Sequence, residues 1–318
     1  MARTRTSSRP EVNVELMVLA SEMYYLEGKT QQEIADALQI SRAAVSGVLS
    51  MARQEGIAVV SVRNPMERFH ELEGKMKKRF GLNHCKITVT SSDSDRNLLR
   101  IAYKTAEFLP KLIRDNDVIG TGRGNTVRST VDFLRETTEH RGLQVVPVTG
   151  ETWFPAERLK VNEISASAAR KLYAVHRPLN APLHLQDPVA IRLLREDESV
   201  RLCMSLWDQM SCALIGVGAI THPDPYHAVR VKMAENKYGR PVVADIFGRF
   251  MDADGQEITE SDLLAIQLDQ LAKAREVIAA AGGRDKERAI LAVLKRGFVT
   301  TLVTDEDTAR GILALVGE

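Results

Sequence analysis

Residues Gly120 to Thr126 read GTGRGNT, a string of types suited to holding an anion. Glycines at 120, 122 and 124 let backbone amides turn inward, Thr121, Asn125 and Thr126 add donors, and Arg123 adds a positive charge. The turn opens onto a helical stretch beginning near Val127, and free amides at a helix N-terminus attract negative charge. A tight strand-to-helix connection is the alternative, and it would explain Gly120, Gly122 and Gly124 by themselves. A second turn, AAGGRDKERAI, places Gly282 and Gly283 after an apolar run, Asp285 where it would cap the next helix, and Lys286 in that helix's first turn. A cation there opposes the helix dipole, so an anion shared between lysine and helix amides gives it a reason. A solvated lysine paired with Asp285 or Asp305 is the other reading. Asp245, ending PVVAD, offers a carboxylate to ligand hydroxyls, or else caps a turn at Phe247 and Gly248.

A different chemistry is written between Thr30 and Ile57. Ile34, Ala35 and Leu38 share one face of a short helix, and Val45, Val48, Leu49 and Ala52 share one face of a second. Gln39 and Ile40 connect them, and Ser41 stands at the N-cap of the second. Burying that apolar face turns Ala43, Ser46, Gly47, Ser50 and Gln54 outward, with Arg42 and Arg53 on the flank. Small, hydrogen-bonding groups let a helix backbone approach the floor of the DNA major groove, so the pair reads as a helix-turn-helix. Thr30 and Gln31, opening the first helix, are placed to meet a phosphate. The expected DNA contacts are therefore Thr30, Gln31, Ser41, Arg42, Ala43, Ser46, Gly47, Ser50 and Arg53. A helical hairpin that merely packs is the bland reading.

Elements must hold these residues in place, and the chain divides into four stretches. Residues 1–11 form a basic arm with Arg3, Arg5 and Arg9, able to touch DNA or to remain a solvated tail. Residues 12–63 form the helix-turn-helix domain. Its first helix, Val12 to Glu27, would bury Leu16, Leu19, Ala20, Met23 and Tyr24 and end at Gly28, and Ile57 to Val62 reads as a short strand after Gly56. Residues 64–82 form a linker helix with Met66, Phe69, Leu72, Met76 and Phe80 on one stripe, which would seal the second domain or join two subunits. Residues 83–318 form an effector domain. There CKITVT, DVIGTG, LQVVPVTG, CALIGVG, PVVADIFG, EVIAAAGG and TTLVTD alternate with helices, the pattern of a mostly parallel α/β sheet covered on both faces. Ligands of such sheets bind outside the carboxyl ends of the strands.

Composition narrows the function classes. At 318 residues the chain is long enough for more than one domain, and a 44% hydrophobic content excludes a disordered tail protein. The net charge is +1, and residues 1–60 carry six basic against seven acidic side chains, so DNA affinity would need local placement and paired copies of the domain. With no long apolar run and no secretory segment, a soluble cytoplasmic protein is expected. Cys85, Cys203 and Cys212 are odd in number and widely spaced, as reduced thiols would be. The seven histidines have no metal-ligand spacing, and neither metal nor cofactor is expected.

Taken in order, TQQEIADALQISRAAVSGVL with ARQEGI, DVIGTGRGNT, LNAPL, CALIGVG, VADIFGRFMDADG, LLAIQLDQLAKAREVIAAAGGRDKERAI and LVTDEDTARGIL resemble the SorC family of sugar-responsive bacterial transcriptional regulators, sometimes filed as DeoR-like. The resemblance covers nearly the whole chain. It implies a Rossmann-like effector domain related to sugar-phosphate isomerases, a sugar, sugar-phosphate or polyol effector, and dimers or tetramers on double-stranded operator DNA. By position it sets Thr121, Gly122, Arg123, Gly124, Asn125, Thr126 and Lys286 on the phosphate side, and Asp245 and Phe247 on the sugar side. The chain departs from the family's usual glycine at Gln39, arginine at Gly47, glycine at Ala244, and aromatic or small residue at Arg123.

Two function classes follow. One is an effector-controlled regulator of a carbohydrate or polyol operon. The other is a sugar-phosphate isomerase with a DNA-binding appendage, which would need a positioned acid and base beside the phosphate cradle. Asp245 and Asp305 are the carboxylates that sequence places there, with no histidine at a strand end among them, and the regulator is the expected class.

Overall fold

The computed structural model describes residues 14–60, 69–152, 160–185, 187–221, 225–259 and 262–318. The basic arm and residues 64–68 of the expected linker helix, Met66 among them, lie outside them. The chain forms two compact units, residues 1–66 and 67–318.

The first unit holds α1 (Val14–Tyr25), α2 (Gln31–Leu38) and α3 (Arg42–Gln54). Ile34 and Ala35 pack with Val45, Val48, Leu49 and Ala52, joined by Met17, Ala20 and Met23 of α1. The buried face of α1 is thus rotated from the expected one. Leu16 is half-buried, whereas Leu19 and Tyr24 are exposed, because Met17, Ala20 and Met23 complete the stripe facing α3. α2 ends with Gln39 at φ 54°, a left-handed conformation that ordinarily selects glycine. α3 starts on Ser41, whose Oγ accepts the Ala44 amide at 3.1 Å. Beyond Gly56, residues 57–60 form no strand, and 61–62 lie outside the described residues.

The second unit opens with α4 (His70–Phe80), which buries Leu72 and Met76 in that unit's own core, with Phe69 and Phe80 packed against it. The chain continues as β1 (His84–Thr88), α5 (Ser94–Phe108), β2 (Val118–Thr121), α6 (Asn125–Phe133), β3 (Gln144–Pro147), α7 (Val161–Lys171), β4 (Val175–His176), α8 (Pro188–Glu196), α9 (Glu198–Ser205), β5 (Met210–Ile215), β6 (Gly218–Ala219) and α10 (Pro225–Tyr238). It ends with β7 (Ala244–Ile246), β8 (Arg249–Met251), α11 (Leu268–Leu271), β9 (Glu276–Ala280), α12 (Glu287–Arg296), β10 (Thr301–Asp305) and α13 (Glu306–Leu315).

Seven strands make one sheet in the order β1-β10-β9-β5-β2-β3-β4, with every pairing parallel. Both faces are covered. On β5, Ala213 and Ile215 enter one core while Cys212 and Leu214 enter the other, and on β9 Val277 and Ala279 alternate likewise with Ile278 and Ala280. A strand buried on both sides must be apolar throughout, which is why CALIG and EVIAA show no polar alternation.

The run PVVADIFG is the exception to the expected layout. It does not join the main sheet; β7 pairs antiparallel with β6 and β8 in a separate three-stranded sheet. A two-residue turn at Phe247 (φ 59°) and Gly248 (φ 80°) folds β8 back on β7, and positive φ at both turn positions suits a tight hairpin rather than a crossover to a parallel neighbour.

From β2 the chain proceeds outward through β3 to β4, whereas β5, β9 and β10 build in the opposite direction. The strand order therefore reverses between β2 and β5. In a parallel sheet this leaves a crevice beyond the carboxyl ends of those two strands, the usual seat of a ligand.

Candidate functional site

The two turns flanking that crevice touch. The Gly122 amide donates to Leu214 O at 2.8 Å, tying the loop after β2 to the end of β5. A Cβ at Gly122 would lie 2.8 Å from the Phe247 ring, so the missing side chain lets the hairpin tip close over the loop. Phe247 itself is buried at positive φ. For a bulky aromatic this is a strained conformation, held here by packing against Gly122. The GTGRGNT turn and the Asp245–Gly248 turn thus form adjoining walls.

In the GTGRGNT wall, Gly124 takes φ 120°, a conformation that L side chains avoid, and serves as the N-cap of α6 with no side-chain cap. The first amides of α6 are left for an external acceptor. Asn125 is exposed, while Thr126 is nearly buried. Thr121 is buried as part of β2; its hydroxyl is shut off from solvent and has no partner among the described residues. Arg123 is exposed and donates from one guanidinium nitrogen to Thr152 Oγ1 at 2.7 Å. That partner is neutral, so the charge of Arg123 stays available.

Lys286 ends a 3-10 turn, Arg284–Lys286, and stands at the N-cap of α12. Asp285 does not cap α12, because this extra turn carries it away from the helix start. Nor does Lys286 pair with Asp285 or Asp305: among the described residues its ammonium has no ion pair or hydrogen bond. Burial holds the lysine below the ordinary range, with only the charge of Asp285 opposing. A bound anion would favour the charged form. The turn carrying Lys286 packs against β6, which in turn pairs with β7.

Asp245 faces Gly218 across that pair. Its Oδ1 accepts the Gly248 amide at 2.6 Å, so it does cap the hairpin turn. Its Oδ2 lies 2.8 Å from Nε2 of His227 on α10. An ionised carboxylate can only accept, so the imidazole donates. The side chain remains partly exposed, leaving lone pairs for ligand hydroxyls. Sequence reasoning missed His227. The signal was its place in a helical stripe with Arg230, Val231 and Ala234, the face of α10 turned to the hairpin.

Asp305, the other carboxylate considered for acid–base work, is fully buried. Thr90 Oγ1 and the Thr308 amide donate to its Oδ1, and Asn97 Nδ2, the Gly283 amide and Thr308 Oγ1 donate to its Oδ2. Burial pushes its acidity down, but these bonds outweigh burial and hold the carboxyl below the ordinary range. Asp305 is a structural anion. Burial pushes all three cysteine thiols up to about 12, consistent with inert packing. Among the described residues no group of three His, Cys, Asp or Glu side chains could hold a metal, and no helix is long and apolar enough to cross a membrane.

In the first unit, Arg42, Ala43, Ser46, Gly47 and Arg53 are exposed along α3, and Ser50 is half-buried. Thr30 is engaged locally. Its hydroxyl accepts the Glu33 amide, and its own amide and hydroxyl donate to the Glu33 carboxylate, each at 2.8 Å. These bonds from Thr30 hold Glu33 below the ordinary carboxylate range. A phosphate approaching Thr30 would meet that negative charge; the neighbouring Gln31 is half-buried at the first position of α2. Ser41 is also committed, as the cap of α3.

Residues 64–314 match the model of the Sugar-bind family, a sugar-binding domain. Over 311 residues the chain is 29% identical to the sorbitol operon regulator of Klebsiella pneumoniae, covering 95% of this chain and 98% of that protein. It is 27% identical to the transcriptional regulator LsrR of Escherichia coli K12 over 299 residues, covering 91% and 92%. The crystal structure of the full-length sorbitol operon regulator SorC from Klebsiella pneumoniae superposes with a TM-score of 0.75 at 28% identity, covering 95% of this chain and 99% of that one.

Proposed function

The chain belongs to the SorC family of sugar-binding transcriptional regulators, and from that premise we propose that it binds operator DNA through α3 and releases or tightens its grip when a sugar phosphate or polyol phosphate enters the crevice beyond β2 and β5. It is a regulator rather than an enzyme, as its named relatives are. The observation that carries the effector reading is the N-terminus of α6, left without a side-chain cap after β2, while Lys286, following β9 of the same parallel sheet, is half-buried and has no ion pair among the described residues. Positive charge without an internal partner favours a phosphate, and Asp245 favours the hydroxyls of the attached carbon chain.

The saturated state of Asp305 supports the same reading against catalysis. Isomerisation needs a proton acceptor free to exchange its proton. A carboxylate holding five donors is not one.

On DNA, the regulator acts as a dimer or tetramer in which paired α3 helices occupy half-sites about one helical turn apart. Arg42 and Arg53 meet phosphates, while Ala43, Ser46, Gly47 and Ser50 face base edges. The effector must bind the DNA-competent and incompetent states unequally; a coupling of about 1 to 3 kcal/mol changes occupancy about 5- to 150-fold.

Selection from a randomised duplex pool by the purified protein, followed by titration of the selected duplex with sugars, polyols and their phosphates, tests the proposal. Enrichment of a two-fold symmetric motif whose binding changes with a phosphorylated sugar or polyol is expected, and Ser46→Glu should lose the motif while keeping the thermal midpoint. No enriched motif, or Ser46→Glu binding like wild type, would refute it.

A further inference from the structure

The geometry points to His227 as the residue that orients Asp245 for the hydroxyl end of the effector, separately from the phosphate end. This inference rests on the effector reading above and adds a division of labour within it.

Asp245 has two oxygens and two fixed partners. The Gly248 amide, at 2.6 Å, fixes Oδ1 to the hairpin turn, and the His227 ring, at 2.8 Å, fixes Oδ2 to α10. With both oxygens anchored, rotation about the carboxylate's terminal bond is suppressed, and the remaining lone pairs point in set directions. A carboxylate on a strand three residues long, next to a two-residue turn, would otherwise sample several orientations. Directly across the strand pair, a Cβ at Gly218 would lie 3.1 Å from Asp245 O and 3.4 Å from its Cβ, so the glycine lets β6 and β7 approach closely and adds no side chain beside the carboxylate.

His227 is itself held. Its ring packs edge-to-face on Phe250, centroids 5.3 Å apart, and Phe250 is the residue paired with Asp245 across β7 and β8. One turn further along α10, Arg230 donates to Gly248 O at 3.1 Å and lies over the other contact of the hairpin, the Phe250 ring, at 5.0 Å. The helix therefore grips the hairpin twice. Arg230 secures the backbone of the turn, and His227 secures the functional carboxylate.

The two ends of the site should accordingly separate under mutation. Lys286 and the α6 amides contact no part of this His–Asp couple in the hydrogen-bond pattern, so phosphate recognition should survive the loss of His227. Recognition of hydroxyls should not. A ring-to-carboxylate hydrogen bond that pre-orients an acceptor is worth at least about tenfold in affinity.

The experiment compares wild type, His227→Ala and His227→Gln by calorimetric titration with two probes: inorganic phosphate, and whichever of sorbitol 6-phosphate, fructose 6-phosphate and glucose 6-phosphate binds wild type most tightly. The expected result is a loss of about tenfold or more for the hexose or hexitol phosphate in His227→Ala, little change for inorganic phosphate, and recovery in His227→Gln, whose side-chain amide restores an N–H donor. Equal loss for both probes would mean a merely structural role and overturn the inference, as would wild-type affinity in His227→Ala or failure of His227→Gln to recover. If none of the three phosphates binds wild type, the effector reading falls, and this inference falls with it.

Discussion

Two helices begin at the carboxyl edge of the same parallel sheet, and they begin in opposite ways. α13 starts on Asp305, a buried carboxylate that accepts five hydrogen bonds and caps its own helix. α6 starts on Gly124 with no side-chain cap. Where the chain carries its own anion, the helix end is closed and the site is structural. Where it withholds one, as at α6, and Lys286 has no ion pair among the described residues, the proposal has a ligand supply the missing charge. The first unit follows the closed pattern: α2 has a capping box between Thr30 and Glu33, and α3 is capped by Ser41. The proposed DNA contacts there accordingly rest on the exposed face of α3 rather than on open helix amides.

The strongest way to break this contrast is to remove the built-in anion. Asp305→Ala leaves buried donors on Asn97, Thr90 and Thr308 and the Gly283 amide without their acceptor, and unsatisfied buried groups cost about 1 to 3 kcal/mol each before relaxation. Chemical denaturation should show a loss of about 3 to 5 kcal/mol from the second unit; a loss under about 1 kcal/mol would show that the network is not structural.

The converse change supplies an anion where the chain lacks one. Asn125→Asp puts a carboxylate in the first turn of α6, which stabilises the helix by about 0.3 to 1 kcal/mol and repels a phosphate. Affinity for a phosphorylated effector should fall about tenfold or more while the ligand-free midpoint holds or rises. Unchanged affinity would place the phosphate elsewhere.

Acid sharpens the comparison further. Asp117 is buried, which disfavours its charge, but a bidentate pair with Arg275, the Ser211 hydroxyl and the Arg114 amide hold it below the ordinary carboxylate range, as happens at Asp305. A carboxylate depressed in the folded state contributes stability above its unfolded value of about 4, and that contribution disappears as pH falls through the folded value. Unfolding free energy should therefore drop between pH 5 and pH 2, and Asp117→Asn should be less stable at pH 7 with a flatter acid limb, by about 1 to 2 kcal/mol in all. Parallel acid limbs in the two proteins would contradict the assignment.

The smallest expected effect lies in the first unit. Gln39 occupies a left-handed helix cap at φ 54°, where a side chain costs about 1 kcal/mol more than glycine. Gln39→Gly should stabilise that unit by up to about 1 kcal/mol without changing effector affinity, read by the two transitions of a thermal scan.

Most of what repeats locally was legible in the sequence. The apolar faces of α2 and α3, the parallel strands, and a lysine at the start of α12 all announce themselves within a few residues. What depends on distant partners did not. The run PVVADIFG has the composition of a core strand, and only its Phe247–Gly248 turn diverts it into a side sheet. His227 has no motif because its partner Asp245 belongs to another element, met only when α10 lies on the hairpin. The rotation of α1 was misread because Leu19 and Tyr24 are as apolar as the residues it buries, and hydrophobicity does not say which of two adjoining faces will find a partner. The role of Asp305 was ambiguous for a similar reason, since its donors come from three separated segments.

Thermal unfolding of wild type and Lys286→Ala against a panel of sugars, polyols and their phosphates decides whether Lys286 holds a ligand's phosphate, because a ligand that binds the folded state raises the midpoint by mass action. A shift with one or more phosphorylated sugars or polyols is expected in wild type, and its loss in Lys286→Ala. A shift confined to unphosphorylated compounds, or one that Lys286→Ala retains in full, would contradict that role.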